Sequence, residues 1–254
     1  MSGLLKNEIL KLINNKKLYA LLVLILAINL FPILITASVG MRTTNGQGFP
    51  LTMYGLLATF IMPVFLMILI AEMITDELSC GTMALSMVHP VTRFQILTAK
   101  VIHLFCFIII IMLFALILSY GLGTVIFGWG AEFMDSGIIY STSQGLVLTI
   151  GSYLGSVLPL LSFSLFVTFI AFLLQGSAAV VGVSFGLYLL SVMSDLLVEL
   201  PLLPVTAYFN MFPYVLSALS EPQALLRHIL INAGFGLLFY LLTLWLFVRR
   251  DMVE

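Results

Sequence analysis

Residues 136–194, "SGIIYSTSQGLVLTIGSYLGSVLPLLSFSLFVTFIAFLLQGSAAVVGVSFGLYLLSVMS", run for 59 positions without Asp, Glu, Lys, Arg or His. A helix crosses a hydrocarbon core of about 30 Å with about 20 residues. The run is therefore too long for one crossing and suits two. "QGS", Gln175 to Ser177, supplies the break, which places spans at about 146–174 and 178–198. Pro159 is expected to kink the first of the pair, because a proline inside a helix removes a backbone hydrogen bond.

The rest of the chain extends this pattern. Uncharged apolar runs predict further spans at about 18–37, 52–74, 96–122 and 228–248, the last closed by Arg249 and Arg250. Of 254 residues, 62% are hydrophobic and only 8% charged, against about 25% charged in a soluble domain. The expected class is an all-α integral membrane protein with six transmembrane helices in a single domain, 1–254. The first run is expected to remain in the protein as a span, because a signal peptide's apolar region is about 7–15 residues and ends at a small-residue cleavage site. A net charge of -1 offers no bulk attraction for nucleic acid. Cys80 and Cys106 fit neither a disulfide framework nor a zinc site.

Cytoplasmic loops collect Lys and Arg. With both termini inside, Lys6, Lys11, Lys16, Lys17, Arg93, Lys100, Arg249 and Arg250 are cytoplasmic, and only Arg42 and Arg227 are outside. This orientation puts the loop between spans two and three in the cytoplasm. Residues 4–13, "LLKNEILKLI", set Leu5, Ile9, Leu12 and Ile13 against Lys6, Asn7 and Lys11, the pattern of a helix lying in the membrane interface. Residues 199–225 are too apolar for a solvated loop and are broken by Pro201, Pro204, Pro213 and Pro222. Irregular backbone at membrane depth must be buried in protein or line a cavity, so short re-entrant or interfacial helices are expected there, on the outer side.

No motif for chemistry emerges. There is no HExxH or GxSxG, and His89, His103 and His228 share no ligand spacing. The phosphate loop GxxxxGK[ST] is missing, so any ATP and Mg must be held by another subunit, and no cofactor is expected on this chain. An ion-coupled carrier needs ionisable groups near the midplane, whereas Glu72, His103 and Asp195 fall near span ends. Asn29 and Asn232 are the deeper polar groups. Each either lines a substrate path or hydrogen-bonds a neighbouring helix. Gly151 with Gly155, and Gly182 with Gly186, form GxxxG steps expected to pack helices closely, within the subunit or across a dimer.

The cytoplasmic stretch 76–93, "DELSCGTMALSMVHPVTR", breaks the long apolar runs with two acids, a Gly-Thr step, a proline and an arginine. Gly81 turns the chain after Asp76 and Glu77, and Thr82 to Val88 has room for two helical turns before Pro90. Met83 and Met87 present adaptable apolar surface. Thr92 and Gln95 form a capping box for span three, with Val91 and Ile96 spaced as a hydrophobic staple. The segment is thus a short helix held between two spans.

In its basic amphipathic start, six spans and the ordered set Glu77, Gly81-Thr82, Pro90, Arg93 and Lys100, the chain resembles the permease subunits of ABC-2 type transporters. The resemblance implies that 82–88 is a coupling helix docking on a separate ABC ATP-binding subunit, present in two copies. Glu77, Gly81, Thr82, Met83, Met87, Pro90 and Arg93 would then serve that contact or its anchors. Two acids at 76–77, where one is the commoner pattern, leave open which holds the loop. It further implies a homodimer or a heterodimer with a similar permease in a bacterial cell membrane. The implied activity is ATP-driven export or membrane clearance of an amphiphilic compound such as a peptide antibiotic or drug; sodium or lipid export also occurs in the family.

Overall fold

The computed structural model of the chain describes residues 10, 14, 16–39, 45–79, 92–135, 138–174, 176–198, 202–219 and 221–249. The interfacial helix expected at 4–13, the coupling helix at 82–88, Cys80 and Val91 lie outside the described residues. The helices are α1 (Lys16–Val39), α2 (Phe49–Leu56), α3 (Met62–Ser79), α4 (Arg93–Phe127), α5 (Thr142–Gly155), α6 (Val157–Leu173), α7 (Ser177–Val198), α8 (Phe212–Ala218) and α9 (Pro222–Arg249). Five stretches among the described residues are long and apolar enough to cross a membrane: Phe49–Glu77, Arg93–Phe127, Thr142–Leu173, Ser177–Leu197 and Leu225–Arg249. The 24-residue α1 covers the first apolar run.

The architecture is that of an all-α membrane protein, with one short hairpin added between helices. Strands β1 (Phe133–Asp135) and β2 (Ile138–Tyr140) pair antiparallel, Phe133 opposite Tyr140. The connection from α4 to α5 spans residues 128–141, and strand pairing within it satisfies backbone groups that an irregular loop would leave open. Phe133 is buried against Tyr140, with ring centroids 5.9 Å apart. Its ring lies where a Cβ on Gly145 would be, so a glycine in the first turn of α5 admits the hairpin.

At the centre stands α6. A helix apolar on all sides is buried, and Leu160, Leu165, Phe166 and Val167 point in different directions yet all sit in the core. It packs against α9, α3, α4 and α7. Phe166 meets Phe239 at 5.0 Å and Phe172 meets Phe247 at 5.2 Å between centroids. The polar members of α6 return their hydroxyls to the preceding turn, Ser164 donating to Leu160 O at 2.8 Å and Thr168 to Ser164 O at 2.7 Å. They therefore add no bare polar group to the core.

Two prolines shape the helices. Pro159 has no N–H for the Gly155 carbonyl, and its ring crowds that group. The helix breaks there, α5 ending at Gly155 and α6 resuming at Val157. The kink expected of Pro159 is thus a boundary placed one turn before it. In the stretch Phe49–Glu77, residues Leu57–Ile61 between α2 and α3 form a π-turn in which Met62 N reaches Leu57 O. Pro63 leaves the Thr59 carbonyl without its usual helical donor, and the Tyr188 hydroxyl of α7 donates to that oxygen. A proline defect in one helix is repaired by a side chain of another.

The proline-rich segment before α9 is folded against the bundle. Ser191 Oγ accepts from Leu203 N at 2.9 Å and lies 2.7 Å from Thr206 Oγ1, and Ser194 Oγ accepts from Leu202 N at 3.0 Å. Tyr54, on α2, donates its hydroxyl to Phe209 O at 3.0 Å and accepts from Met211 N at 2.8 Å. Short α8 then lies on α5 and α9.

Candidate functional site

The ends of the bundle differ in chemistry. At one end meet the last turns of α3 and α9 and the starts of α1 and α4. Lys17 pairs with Glu72. Lys100 Nζ lies 2.7 Å from Glu77 Oε2, and its side chain is only 3% exposed. Arg93 Nη1 donates to Phe247 O at 2.5 Å and Val248 O at 2.8 Å, with its guanidinium 5.7 Å from the Phe247 ring centre. A cation at the C-terminus of α9 meets the negative end of the helix dipole and supplies donors to carbonyls that have no helical partner.

This geometry brackets the loop between α3 and α4. On its far side Thr92 caps α4, accepting from Gln95 N at 3.3 Å, while Thr92 N donates to Gln95 Oε1 at 3.1 Å, as the capping-box spacing predicts. Glu77 therefore ties the entry of the loop to α4, and Arg93 ties its exit to α9. Gly81, Thr82, Met83, Met87 and Pro90 lie between these anchors, outside the described residues. Asp76 is exposed, whereas Glu77 is the acid that holds Lys100.

At the opposite end the chain closes on itself through backbone carbonyls. Gly46 N donates to Gly128 O at 2.8 Å, Gln47 Nε2 to Gly130 O at 2.9 Å, and Asn45 Nδ2 to Glu132 O. Gly128 and Gly130 have φ of 74° and 81°, where a side chain would be strained.

The remaining singled-out residues separate by location. Asn29 is buried between helices, donating to Ile25 O at 2.9 Å and accepting from Ser119 Oγ of α4 at 2.7 Å. The void beside it is about 10 Å³, room for one water at most. Asn232 lies in a much larger cavity of about 470 Å³ between α5, α8 and α9. Gly151 and Gly155 face the same region. A Cβ on Gly151 would lie 2.9 Å from Val215 Cγ1, and one on Gly155 3.4 Å from Met211. Their step therefore seats the short α8 segment rather than another long helix. Gly182 and Gly186 have nothing within 4 Å of their would-be Cβ positions and pack no described part of the chain.

A family model described as "ABC-2 family transporter protein" matches residues 4–171. The chain belongs to the ABC-2 transporter family. The match includes the bracketed loop and its anchors. This ABC-2 chain is also 24% identical over 216 residues to "Uncharacterized protein YhcI" of Bacillus subtilis (strain 168), an alignment covering 77% of the chain and 66% of that protein. An ABC-2 permease is the membrane component of a transporter that works with an ABC ATP-binding subunit.

Neither anchor was assigned its partner by sequence reasoning. The sequence places Lys100 among the cytoplasmic cations and in the family pattern but gives it no partner, and it does not single out Phe247 or Val248. The signal for Lys100 was its place eight residues inside a long apolar helix, where a lone lysine needs a carboxylate.

Proposed function

We propose that this chain is the permease half of an ATP-driven exporter. In this reading α1, α2–α3, α4, α5–α6, α7 and α9 are the six spans, and the end carrying Lys17, Arg93, Lys100 and Arg249 is cytoplasmic. The distribution of cations supports this: Lys16, Lys17, Arg93, Lys100 and Arg249 cluster at one end, with Arg227 opposite. The segment 202–219 is the outer, partly re-entrant layer.

One observation carries the coupling role: both ends of the 80–91 loop are tied by charge to different helices, Glu77 to α4 and Arg93 to α9. A push on the loop by a closing ATPase would be delivered to α3, α4 and α9 together instead of being lost in slack chain. Two ATPase subunits and a second permease, the same or similar, complete the machine. The cargo class we favour is an amphiphile such as a peptide antibiotic or drug, cleared from the bilayer or exported.

The test compares wild type, Ala84→Pro and Arg93→Glu for membrane insertion, co-purification with the partner ABC ATP-binding subunit, and ATP hydrolysis. Both variants should insert, yet bind the ATPase weakly or no longer alter its turnover. Equal binding and equal turnover in all three would remove the coupling role.

A further inference from the structure

The cavity between α5, α8 and α9 has a floor and a rim of different character. Its floor is formed by Pro159, Met211, Val215 and Asn232, all buried. Its rim carries the exposed apolar residues Val147, Leu154, Leu219 and Ile229. In a bilayer protein such a rim faces lipid, so the cavity opens sideways into the membrane. Its volume of about 470 Å³ is in the range of small-molecule pockets.

Two polar atoms on residues lining this cavity lack hydrogen-bond partners among the described residues, and both are shielded from solvent. Asn232 is 1% exposed; its Nδ2 donates to His228 O at 2.8 Å, and its Oδ1 has no hydrogen bond. His228 Nδ1 is likewise buried without a partner. The His228 ring is held by Tyr208 and Tyr214, with centroids at 4.8 and 4.1 Å, so it does not swing freely to find one. Residues 228 and 232 are one helical turn apart, about 6 Å along α9. A buried acceptor left empty is costly, and the requirement is stricter in hydrocarbon.

We infer that this cavity binds an elongated apolar molecule that brings a hydroxyl or amide N–H donor to Asn232 Oδ1, with His228 Nδ1 as a second contact one turn outward. The occupant enters from the bilayer and is either a resident lipid or an amphiphile in transit. The inference rests on the bilayer location of the chain and not on ATPase coupling. It is therefore tested on the permease alone, and its failure would leave the coupling role intact.

The probe is a fatty alcohol carrying a diazirine midway along its chain, irradiated with the purified full chain in detergent. Cross-links should map to residues 147–159 and 211–232. The unlabelled alcohol should compete, and the alkane of equal length should compete roughly fivefold less well, the worth of about one net hydrogen bond. Asn232→Leu should abolish that preference for the alcohol. Val147→Trp, at the rim and away from the floor, should lower labelling in a protein that stays monodisperse, which separates blockage from misfolding. A lipid that co-purifies with wild type but not with Val147→Trp identifies a resident occupant; binding of the probe with no co-purified lipid identifies an amphiphile in transit. Cross-links elsewhere, or equal competition by alkane and alcohol in wild type, would overturn the inference and leave water as the partner of Asn232.

Discussion

Glu77, near the end of α3, and Lys100, two turns into α4, form an ion pair of 2.7 Å across the mouth of the loop that joins their helices. Desolvation makes such a pair a modest net stabiliser while it is complete, but losing one partner strands the other, at about 3–5 kcal/mol. The pair therefore acts as a clasp on the geometry of the loop.

Lys100→Met should lower the melting temperature of the purified permease, and Glu77→Gln should do so less, because the amide still accepts a hydrogen bond. The double reversal, Glu77→Lys with Lys100→Glu, should recover a substantial part of the loss. A double variant no better than the sum of its singles would show that the pair is incidental.

Arg93 should lock the last turn of α9. Its two bonds to Phe247 O and Val248 O are charge-assisted, worth about 1.5–3 kcal/mol each where a charged group takes part. In Arg93→Ala, amide exchange over residues 244–249 should rise at least tenfold by mass spectrometry, with α6 unchanged. Unaltered exchange at that terminus would place the clasp elsewhere.

Tyr188→Phe should cost about 1–3 kcal/mol, since the Thr59 carbonyl loses the hydroxyl that replaces the N–H missing at Pro63. Pro63→Ala restores that N–H. Thermal denaturation should therefore find Tyr188→Phe less damaging in a Pro63→Ala background than alone; equal losses in both backgrounds would refute the compensation.

The two GxxxG steps should behave differently. Gly151→Ala forces Val215 to yield, because the new Cβ would lie 2.9 Å from its Cγ1, and detergent stability should fall. Gly186→Ala meets nothing among the described residues and gains helix propensity of about 0.5–1 kcal/mol, so the isolated subunit should be as stable or more so. If Gly182→Leu and Gly186→Leu dissociate a permease dimer on size-exclusion chromatography while the subunit stays folded, that face is the contact between copies; an unaltered dimer would assign it to lipid.

What the sequence determined by itself is what the bilayer demands of any chain. Hydrocarbon forbids unpaired backbone, so long uncharged runs must be helices; the run over 136–194 therefore carried its two crossings in its composition, and Pro159 carried its break. The capping box at Thr92 and Gln95 was legible for the same reason, being local chemistry between residues three apart. Tertiary structure decided everything that depends on how helices are rotated about their axes. Gly151 and Gly186 read alike in sequence, yet one seats α8 and the other faces open space. Asn29 and Asn232 read alike too, yet one is closed by Ser119 while the other keeps a bare oxygen over a cavity. Apolar packing is non-directional and leaves no mark of partner choice in a chain that is oily on every side, so the direction in which each polar group points is settled only when the helices meet.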